Sequence, residues 1–383
     1  MNTAVDISSR PTPPSITEEA LASLLAEADV RLGGDNPWDV QVHDDRFFDR
    51  VMAEGNLGLG EAYMERWWDV DQLDEFFHRV LRAKLNGRIR DPKFAAAWMK
   101  ARLFNLQSPV RSRRVAELHY DLGNRFFEKM LDPWMQYTCA YWKGADTLAE
   151  AQEAKLDLVC RKLHLAKGDH ILELGGGWGG FARFAAARYG CRVTSYNISR
   201  QQVEYARTFC RDLPVEIVHA DYRQASGVYD RIVSIGMLEH VGARNYRDFM
   251  TLLDRCLRKD GLVLLHTIGC NVTKRTSDPW FTKYIFPGGQ LPSLEQVMRA
   301  IQGRFMLEDL HNIGADYDHT LMAWFRNVDR HWPSFREEYG DTFYRMWTYY
   351  LLSCAGSFRA RNVHLWQFVL SREGVPGGYA PVR

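Results

Sequence analysis

A glycine-rich turn between two apolar segments constrains the fold of this chain more than any other feature. Residues 170–174 (HILEL) are long enough for one buried strand, residues 175–180 read GGGWGG, and residues 181–189 are rich in alanine and aromatic side chains. Strand, glycine turn and helix in this order form the nucleotide-binding unit of a doubly wound α/β sheet. Glycines let the backbone turn sharply and let a ligand approach where a Cβ would block it.

The spacing of the glycines favours one kind of ligand. Dinucleotide folds read G-x-G-x-x-G, whereas this chain reads Glu173-x-Gly175-x-Gly177-x-Gly179. The pattern resembles the first motif of S-adenosylmethionine (SAM) methyltransferases, in which no pyrophosphate is bound. An acid at the end of the strand can therefore face the cationic methionine end of SAM. A glycine turn without a ligand is the alternative, and the strands that follow argue against it.

Strand patterns recur on both sides of helical segments after the glycine turn. Further strands are predicted at residues 192–196, 215–219, 229–235, 261–268, 305–313 and 365–371. Ligands of open α/β sheets lie beyond the carboxyl ends of the strands. The polar residues Glu173, Asn197, Asp221, Glu239 and His266 all fall at such ends. We predict an α/β, Rossmann-like class I SAM methyltransferase domain with a mostly parallel seven-stranded sheet.

A smaller, mainly helical domain is expected before the sheet. The predicted divisions are a disordered terminus (1–15), a helical domain (16–87), a basic linker (88–114) and a catalytic domain (115–383) with a helical insertion (314–361). The aromatic residues between 47 and 85 indicate either a helical core or a surface that docks on lipid. The basic linker indicates either a solvated face or attraction to anionic headgroups.

Composition excludes several classes of function. The net charge of +1 provides no field that would attract nucleic acid. The seven cysteines form no CxxC pair and no metal-ligand spacing, which favours a reducing compartment without a metal site. The first fifteen residues lack the apolar region of a secretory signal, and no apolar run approaches the roughly 18 residues that span a bilayer. We expect a cytoplasmic protein.

Motifs spread from about Trp38 to the C-terminus identify a family. The chain resembles the bacterial cyclopropane-fatty-acyl-phospholipid synthases, relatives of the mycolic acid cyclopropane synthases. The segments that carry the resemblance are LGLGEAYMERWW, ARLFNLQS, HYDLGN, DPWMQYTCAYW, GGGWGG, GMLEHVG, LLHTIG, DPWFTKYIFPGG, GADYDHTLMAW and TYYLLSCAGSFRAR. The resemblance implies methylene transfer from SAM to the cis double bond of unsaturated acyl chains in membrane phospholipids. It also implies a homodimer that acts peripherally at the inner face of the membrane.

The resemblance assigns residues to two binding sites. A bound bicarbonate, which would deprotonate a carbocation, is implied at Cys139, Glu239, His266, the Ile268 backbone and Tyr317, and Cys354 is a further active-site position. SAM is implied at Tyr137, Thr138, Glu173, Leu174, Gly175, Gly176, Gly177, Asn197, Ile198, Gln202, Asp221 and Tyr222. Two positions depart from common patterns. Asn197 stands where methyltransferases usually have an acid for the ribose, and Gly176 stands where this family often has cysteine.

The residues themselves fit this chemistry. An alkene needs no deprotonation before it attacks SAM, so no strong nucleophile is required. Aromatic faces and a carboxylate stabilise a developing cation in a dry site. Neutral His266 and Tyr317 can hydrogen-bond an anion, and Glu239 beside that anion requires a raised pKa. Structural roles remain open, with His266 as a core histidine and Cys354 as a small buried residue.

Three other functions compete with cyclopropanation. A SAM-dependent lipid methyltransferase that makes methyl- or methylene-branched chains would use the same electrophile and differ only in the fate of the cation. A small-molecule methyltransferase would not need the aromatic N-terminal domain. A catalytically inactive lipid-binding module would not need intact glycine-loop and strand-end residues.

Overall fold

The computed structural model describes residues 13–85, 123–274 and 277–383. Its strands are β1 Gln41–Val42, β2 Trp68–Asp69, β3 His170–Leu174, β4 Arg192–Asn197, β5 Val215–His219, β6 Tyr229–Ile235, β7 Leu257–Gly269, β8 Met306–Asn312 and β9 His364–Ser371. Its α-helices are α1 Ile16–Ala26, α2 Arg46–Glu54, α3 Asn56–Met64, α4 Leu73–Arg82, α5 Asn124–Met130, α6 Leu148–Lys162, α7 Gly180–Tyr189, α8 Arg200–Phe209, α9 Leu238–Val241, α10 Tyr246–Cys256, α11 Pro279–Tyr284, α12 Leu294–Ile301, α13 Gly314–His331 and α14 Arg336–Arg359.

The seven-stranded sheet is mixed and mostly parallel, as predicted. The strand order is β5-β4-β3-β6-β7-β9-β8. β3 lies between β4 and β6, in the middle of the five parallel strands. The pairs from β5 to β7 are parallel, whereas β9 runs antiparallel to both β7 and β8. Buried side chains cover both faces of the sheet at β3 and at residues 261–267 of β7, which are almost continuously buried, whereas the edge strand β5 has one buried residue.

Local signals in the sequence set the helix boundaries. The Thr147 hydroxyl and the Glu150 carboxylate form a reciprocal capping box at the start of α6, and Ser15 caps α1 by accepting from the Glu18 amide. The spacing of Ile16, Leu21, Leu24 and Leu25 predicts a helix over residues 15–32, but α1 ends earlier, at Ala26. Asp29 has a left-handed φ of 54°, a conformation that a continuing α-helix does not allow.

A second compact unit contains the described residues 13–85 together with 278–287 and 328–362. Aromatic residues of α2, β2 and α4 are buried within this unit, with Phe47, Trp68 and Phe76 each at most 2% exposed. These rings pack as a core, and lipid docking by the same segment stays a prediction. The division differs from the predicted boundary at residue 115, because α11 and most of the insertion group with the N-terminal helices. The predicted insertion is helical, with a break in α14 at Gly340, where φ is 76°.

Two of the sequence predictions lie partly or wholly outside the described residues. These are the terminus at 1–15, of which residues 13–15 are described, and the basic linker at 88–114. In the described part of the chain, no helix has both the length and the apolar character needed to cross a bilayer.

Ile232 tests how much stability the sheet core provides. Its side chain is fully buried on β6, the neighbour of β3, so Ile232→Ala removes apolar contacts and leaves a cavity. We expect the free energy of unfolding to fall by about 2–5 kcal/mol, measured by urea denaturation followed by circular dichroism. Val228→Ala is the matched control, because Val228 is 64% exposed, and it should change stability by no more than about 0.5 kcal/mol. Equal losses in the two variants would contradict this description of the core.

Candidate active site

The glycine turn after β3 is held by backbone hydrogen bonds to the neighbouring strand. The amides of Gly175 and Gly176 both donate to the Tyr196 carbonyl, at 2.9 and 3.2 Å. Gly175 and Gly177 have φ values of 83° and 53°, which side-chain-bearing residues rarely adopt. The turn therefore has a defined shape at the carboxyl end of the central strand, where ligands of open α/β sheets bind.

A buried carboxyl group lies beneath this turn. Glu173 is 4% exposed, and its Oε2 accepts a hydrogen bond of 2.6 Å from the Ser195 hydroxyl. Burial raises the pKa of Glu173 to about 7, although the Ser195 hydrogen bond and the charge of Lys155 oppose the shift. A cation bound at the turn would stabilise the ionised carboxylate and bring this pKa down. The site therefore fits a ligand with a cationic end.

Asn197 and Gln202 lie together at the end of β4. The Asn197 side-chain amide donates to the Gly177 carbonyl and to Gln202 Oε1, each at 2.9 Å. Asn197 thus ties the glycine turn to the next strand. The neighbouring Ile198 is 71% exposed, which leaves an apolar surface beside the turn.

The two residues predicted near the adenine follow β5. The Asp221 carboxylate accepts from the Arg223 amide and pairs with the Arg223 guanidinium, each at 2.8 Å. The Tyr222 ring packs edge-on against the Phe249 ring, with 5.4 Å between the two ring centroids. Direct SAM contacts by these residues, and by Tyr137, Thr138, Leu174, Ile198 and Gln202, stay predictions.

Glu239, on α9 after β6, and His266, near the end of β7, are both held beside the last residues of β7 and are called the donor cluster below. Both are buried, at 8% and 1% exposure, and each has one polar atom without a hydrogen-bond partner in the described residues, Oε2 of Glu239 and Nε2 of His266. Native proteins rarely bury such atoms unpaired. The Gln367 amide donates to His266 Nδ1 at 3.2 Å, so the ring carries its hydrogen on Nε2. Burial, helped by the charges of Lys155 and Lys162, lowers the pKa of His266 well below its usual value.

The protonation of Glu239 follows from its contacts. Burial raises the pKa of Glu239 to about 7, so a large share of this carboxyl group is protonated near neutral pH. The Ile268 amide donates to Glu239 Oε1 at 2.6 Å, so the acid proton belongs on Oε2. In the neutral state, Glu239 Oε2 and His266 Nε2 are then both hydrogen-bond donors. The Ile268 amide serves Glu239 in this structure, so it would have to share its hydrogen to bind an anion as well.

The remaining predicted site residues lie in different settings. The Cys139 thiol donates to the backbone carbonyl of Ala140 at 3.2 Å, and burial raises its pKa well above the usual value. This thiol is therefore neutral and hydrogen-bonded to the backbone. Tyr317 is buried on α13, whereas Cys354 lies on α14 in the helical unit and is only partly buried. Burial also raises the pKa of Cys354, which does not suit a thiolate nucleophile.

A continuous series of aromatic rings connects α13 to the glycine turn. The ring centroids of Tyr317 and Trp324 are 5.9 Å apart, and those of Trp324 and Tyr137 are 5.2 Å apart. The Phe127 centroid lies 5.4 Å from that of Tyr137 and 4.8 Å from that of Trp178. Trp178 belongs to the glycine turn itself. The series supplies π faces, which stabilise positive charge, within the sheet unit.

Sequence reasoning missed several polar residues that support the site. Ser195 and Gln367 hold Glu173 and His266, and neither follows from any motif. Gln152 and Lys155 lie on the buried face of α6 and bind the segment that carries Tyr137 and Thr138. Polar residues spaced by three along an otherwise apolar helix face were the available signal for this pair.

The fold and the site together define a class. A central parallel strand followed by a glycine turn, in a seven-stranded sheet with an antiparallel strand near its edge, is the class I SAM methyltransferase fold. A mycolic acid cyclopropane synthase crystallised with S-adenosylhomocysteine and CTAB superposes with a TM-score of 0.62 at 30% identity, over 68% of this chain and 98% of that one. The chain is an enzyme of the SAM-dependent methyltransferase class.

The family follows from sequence comparison. Residues 107–368 match the mycolic acid cyclopropane synthetase family. A cyclopropane-fatty-acyl-phospholipid synthase of Escherichia coli is 48% identical over 361 residues, 94% of each chain. A tuberculostearic acid methyltransferase of Mycobacterium tuberculosis is 31% identical over 358 residues, 85% of this chain and 81% of its own. This chain belongs to the cyclopropane synthetase family, which confirms the resemblance seen in its motifs.

The packing around Gly176 makes a prediction about cofactor binding. A Cβ at this position would lie 1.9 Å from Ser195 Oγ and 2.8 Å from Glu173 Oε2. We expect Gly176→Ala to weaken S-adenosylhomocysteine binding by about two- to fivefold in isothermal titration calorimetry, because the Ser195 hydroxyl and the Glu173 carboxylate must rotate away and their hydrogen bond is disturbed. The double variant Gly176→Ala/Ser195→Gly should recover much of the affinity.

Gly123→Ala is the matched control for this experiment. A Cβ at Gly123 has no atom within 4 Å, and the backbone there is extended with φ −60°. The control should therefore bind S-adenosylhomocysteine as the wild type does. Wild-type affinity in Gly176→Ala would show that the predicted clash does not constrain the turn.

Proposed function

We propose that this enzyme transfers a methylene group from SAM to the cis double bond of unsaturated acyl chains in phospholipids, giving a cyclopropane ring. The relative from Escherichia coli that is named for this activity is 48% identical, and the match covers 94% of each chain. The site adds support, because it has a turn suited to a cationic ligand, aromatic faces and a neutral, buried donor cluster.

One observation carries the proposal beyond a simple methyl transfer. Glu239 Oε2 and His266 Nε2 are buried donors without partners in the described residues, and an oxyanion is the ligand that satisfies two such groups. When bound there, bicarbonate would supply the base that removes a proton. A methyl transfer to an amine or hydroxyl also releases a proton, so the lipid substrate comes from the name of the 48% identical relative and not from the base site alone.

The chemistry can be written so that electrons balance. SAM supplies an electrophilic methyl group whose bond to sulfur breaks with both electrons remaining on sulfur. The alkene π pair forms the new carbon–carbon bond, which leaves a cation on the other alkene carbon. Loss of a proton from the new methyl group frees the electron pair that closes the ring. Ring closure therefore needs a base beside the new methyl group, and neutral Glu239 and His266 would hold it there.

The protein side chains contribute to the stability of the cation. The π faces of Tyr137, Trp324 and Phe127 lie in the aromatic series that includes the glycine turn residue Trp178. Cation–π contacts of this kind contribute on the order of 0.5–2 kcal/mol each, and more where water is excluded. Dryness also limits capture of the cation by water, which would give an alcohol instead of a ring.

A branching methyltransferase is the second candidate. The tuberculostearic acid methyltransferase matches 85% of this chain, so a related sequence bears the name of an enzyme with a branched product. Such an enzyme would form the same cation, and loss of a proton without ring closure would leave a methylene branch, whereas a methyl branch would need a hydride donor in addition. A base at the donor cluster would serve either outcome, so the name and 48% identity of the Escherichia coli relative are what favour cyclopropanation.

The proposed substrate requires access to a lipid bilayer. We therefore propose peripheral association with the cytoplasmic face of the membrane, and a homodimer as the resemblance implies. Support comes from the phospholipid named in the Escherichia coli relative and from the basic residues between 88 and 114 in the sequence. Co-sedimentation with anionic vesicles at low and high salt, together with sedimentation equilibrium, tests both proposals.

A product assay separates the two candidate reactions. Purified enzyme is incubated with SAM and vesicles of a cis-monounsaturated phospholipid, and the acyl chains are examined by mass spectrometry and proton NMR. We expect a gain of one CH₂, loss of the vinyl signals and new upfield ring signals. The same mass gain without ring signals would assign the branching reaction instead. An unchanged acyl chain would reject both.

The raised pKa of Glu239 predicts how anion binding depends on pH. The protonated form donates to the anion, so bicarbonate affinity should fall as pH rises through about 7. Glu239→Gln keeps an oxygen for the Ile268 amide and an N–H for the anion, yet it cannot ionise. The affinity is measured by titration calorimetry at fixed bicarbonate concentrations with S-adenosylhomocysteine present. Between about pH 6 and 7.5, the bicarbonate affinity should decline for the wild type and stay constant for the variant.

Binding of S-adenosylhomocysteine alone is the control for this comparison, since Glu239 is not assigned to that site. Both proteins should bind it equally at each pH. Parallel pH profiles for bicarbonate in the two proteins would remove Glu239 as the titrating group.

A further inference from the structure

Lys155 is a buried cation that no sequence motif assigns to the site. Its side chain on α6 is fully buried, and Nζ donates to Thr138 Oγ1 at 2.9 Å and to Gln136 Oε1. Both acceptors are neutral. Among the residues that the structure describes, no carboxylate lies within 4 Å of Nζ. An ammonium has three N–H donors, so two neutral partners compensate it only in part.

The charge of Lys155 is costly where it lies. Burial lowers its pKa to about 8, while Asp132, Cys139 and Glu173 act in the opposite direction, so the ammonium form still dominates at neutral pH. Asp132 accepts the amides of Trp134 and Gln136, at 2.7 and 2.9 Å. A buried cation without a close counter-ion is destabilising, and a chain that keeps one has a use for its field.

The positive charge of Lys155 acts on His266, one of the two residues of the donor cluster. After burial, the charge of Lys155 is the largest cause that lowers the pKa of His266, followed by that of Lys162. A field that disfavours a positive imidazolium at His266 favours a negative ion at the same place. The hydrogen bond to Thr138 adds a second effect, because Thr138 directly precedes Cys139, one of the residues implied in anion binding.

We propose that Lys155 is a positioning residue whose positive charge stabilises the anion held by Glu239 and His266, and whose hydrogen bonds fix the segment from Gln136 to Cys139. This inference rests on the proposed bicarbonate site. Lys155 does not touch the reacting atoms. It supplies the counter-charge that neutral Glu239 and His266 lack.

Gln152 provides the matched control. It lies one turn before Lys155 on the same face of α6, and its amide donates to the carbonyls of Thr138 and Gln136 at 2.8 and 3.4 Å. Gln152→Met therefore removes support for the same segment without removing a charge. Lys155→Met removes both the support and the charge. The difference between the two variants isolates the electrostatic contribution.

Bicarbonate and S-adenosylhomocysteine binding to the full chain are measured separately by titration calorimetry, with thermal unfolding as the check on folding. We expect Lys155→Met to lose bicarbonate affinity by on the order of tenfold relative to Gln152→Met, a larger difference than any in S-adenosylhomocysteine affinity, which the action of Lys155 on Glu173 also affects. Equal bicarbonate affinities in the two variants would overturn the role of charge. No bicarbonate binding to the wild type would overturn the anion site itself, which is a distinguishable failure.

A measurement on the wild type keeps the proposal testable if Lys155→Met does not fold. Linkage requires that an anion stabilised by Lys155 also stabilises its ammonium form. The pKa of Lys155, followed by NMR of the ¹³Cε signal in labelled protein, should therefore rise from about 8 when bicarbonate is added. A pKa that does not move while bicarbonate binds would overturn the proposal.

Discussion

The parallel pairing of β3 with β4 and β6 is the interaction on which the site depends. It aligns Leu174 with Tyr196 on one side and with Ser234 on the other, so three strands end at one edge of the sheet. The glycine turn leaves from that edge, and the Tyr196 carbonyl holds it there. The next strand pair, β6 with β7, brings Ile235 opposite His266, which places the donor cluster along the same edge.

Burial away from water sets the pKa values of the ionisable residues at this edge of the sheet. Burial raises the pKa values of Glu173 and Glu239 to about 7, lowers that of Lys155 to about 8 and keeps His266 neutral. The two carboxyl groups and Lys155 can therefore change their charge in response to a ligand at modest cost, whereas His266 stays neutral. A cation at the turn would favour ionised Glu173, while an anion at the cluster would favour protonated Glu239. The two carboxyl groups have similar pKa values for the same reason, and their different neighbours suit them to opposite ligands.

Local sequence signals predicted most of the sheet unit. The strands at His170–Leu174, Val215–His219 and Tyr229–Ile235 have the predicted boundaries, because each is a short apolar run bounded by turn residues. Helix α6 begins at its capping box for an equally local reason. The division of the chain into two compact units was harder to predict. Residues 278–287 and 328–362 belong to the unit of the N-terminal helices, which are far away in the sequence. Such long-range packing leaves no periodic signal along the chain.

The sequence by itself determined the class of fold, the glycine turn and the family, because these depend on residue order and on motifs. It also named Glu239 and His266, since polar residues at strand ends converge in any open α/β sheet. Only the tertiary structure decided what those residues can do. The proton on Glu239 Oε2 follows from the Ile268 amide, the hydrogen on His266 Nε2 from Gln367, and the field at the cluster from Lys155. These partners lie from 29 to 111 residues away along the chain, and hydrogen bonds and fields act through space rather than along the sequence.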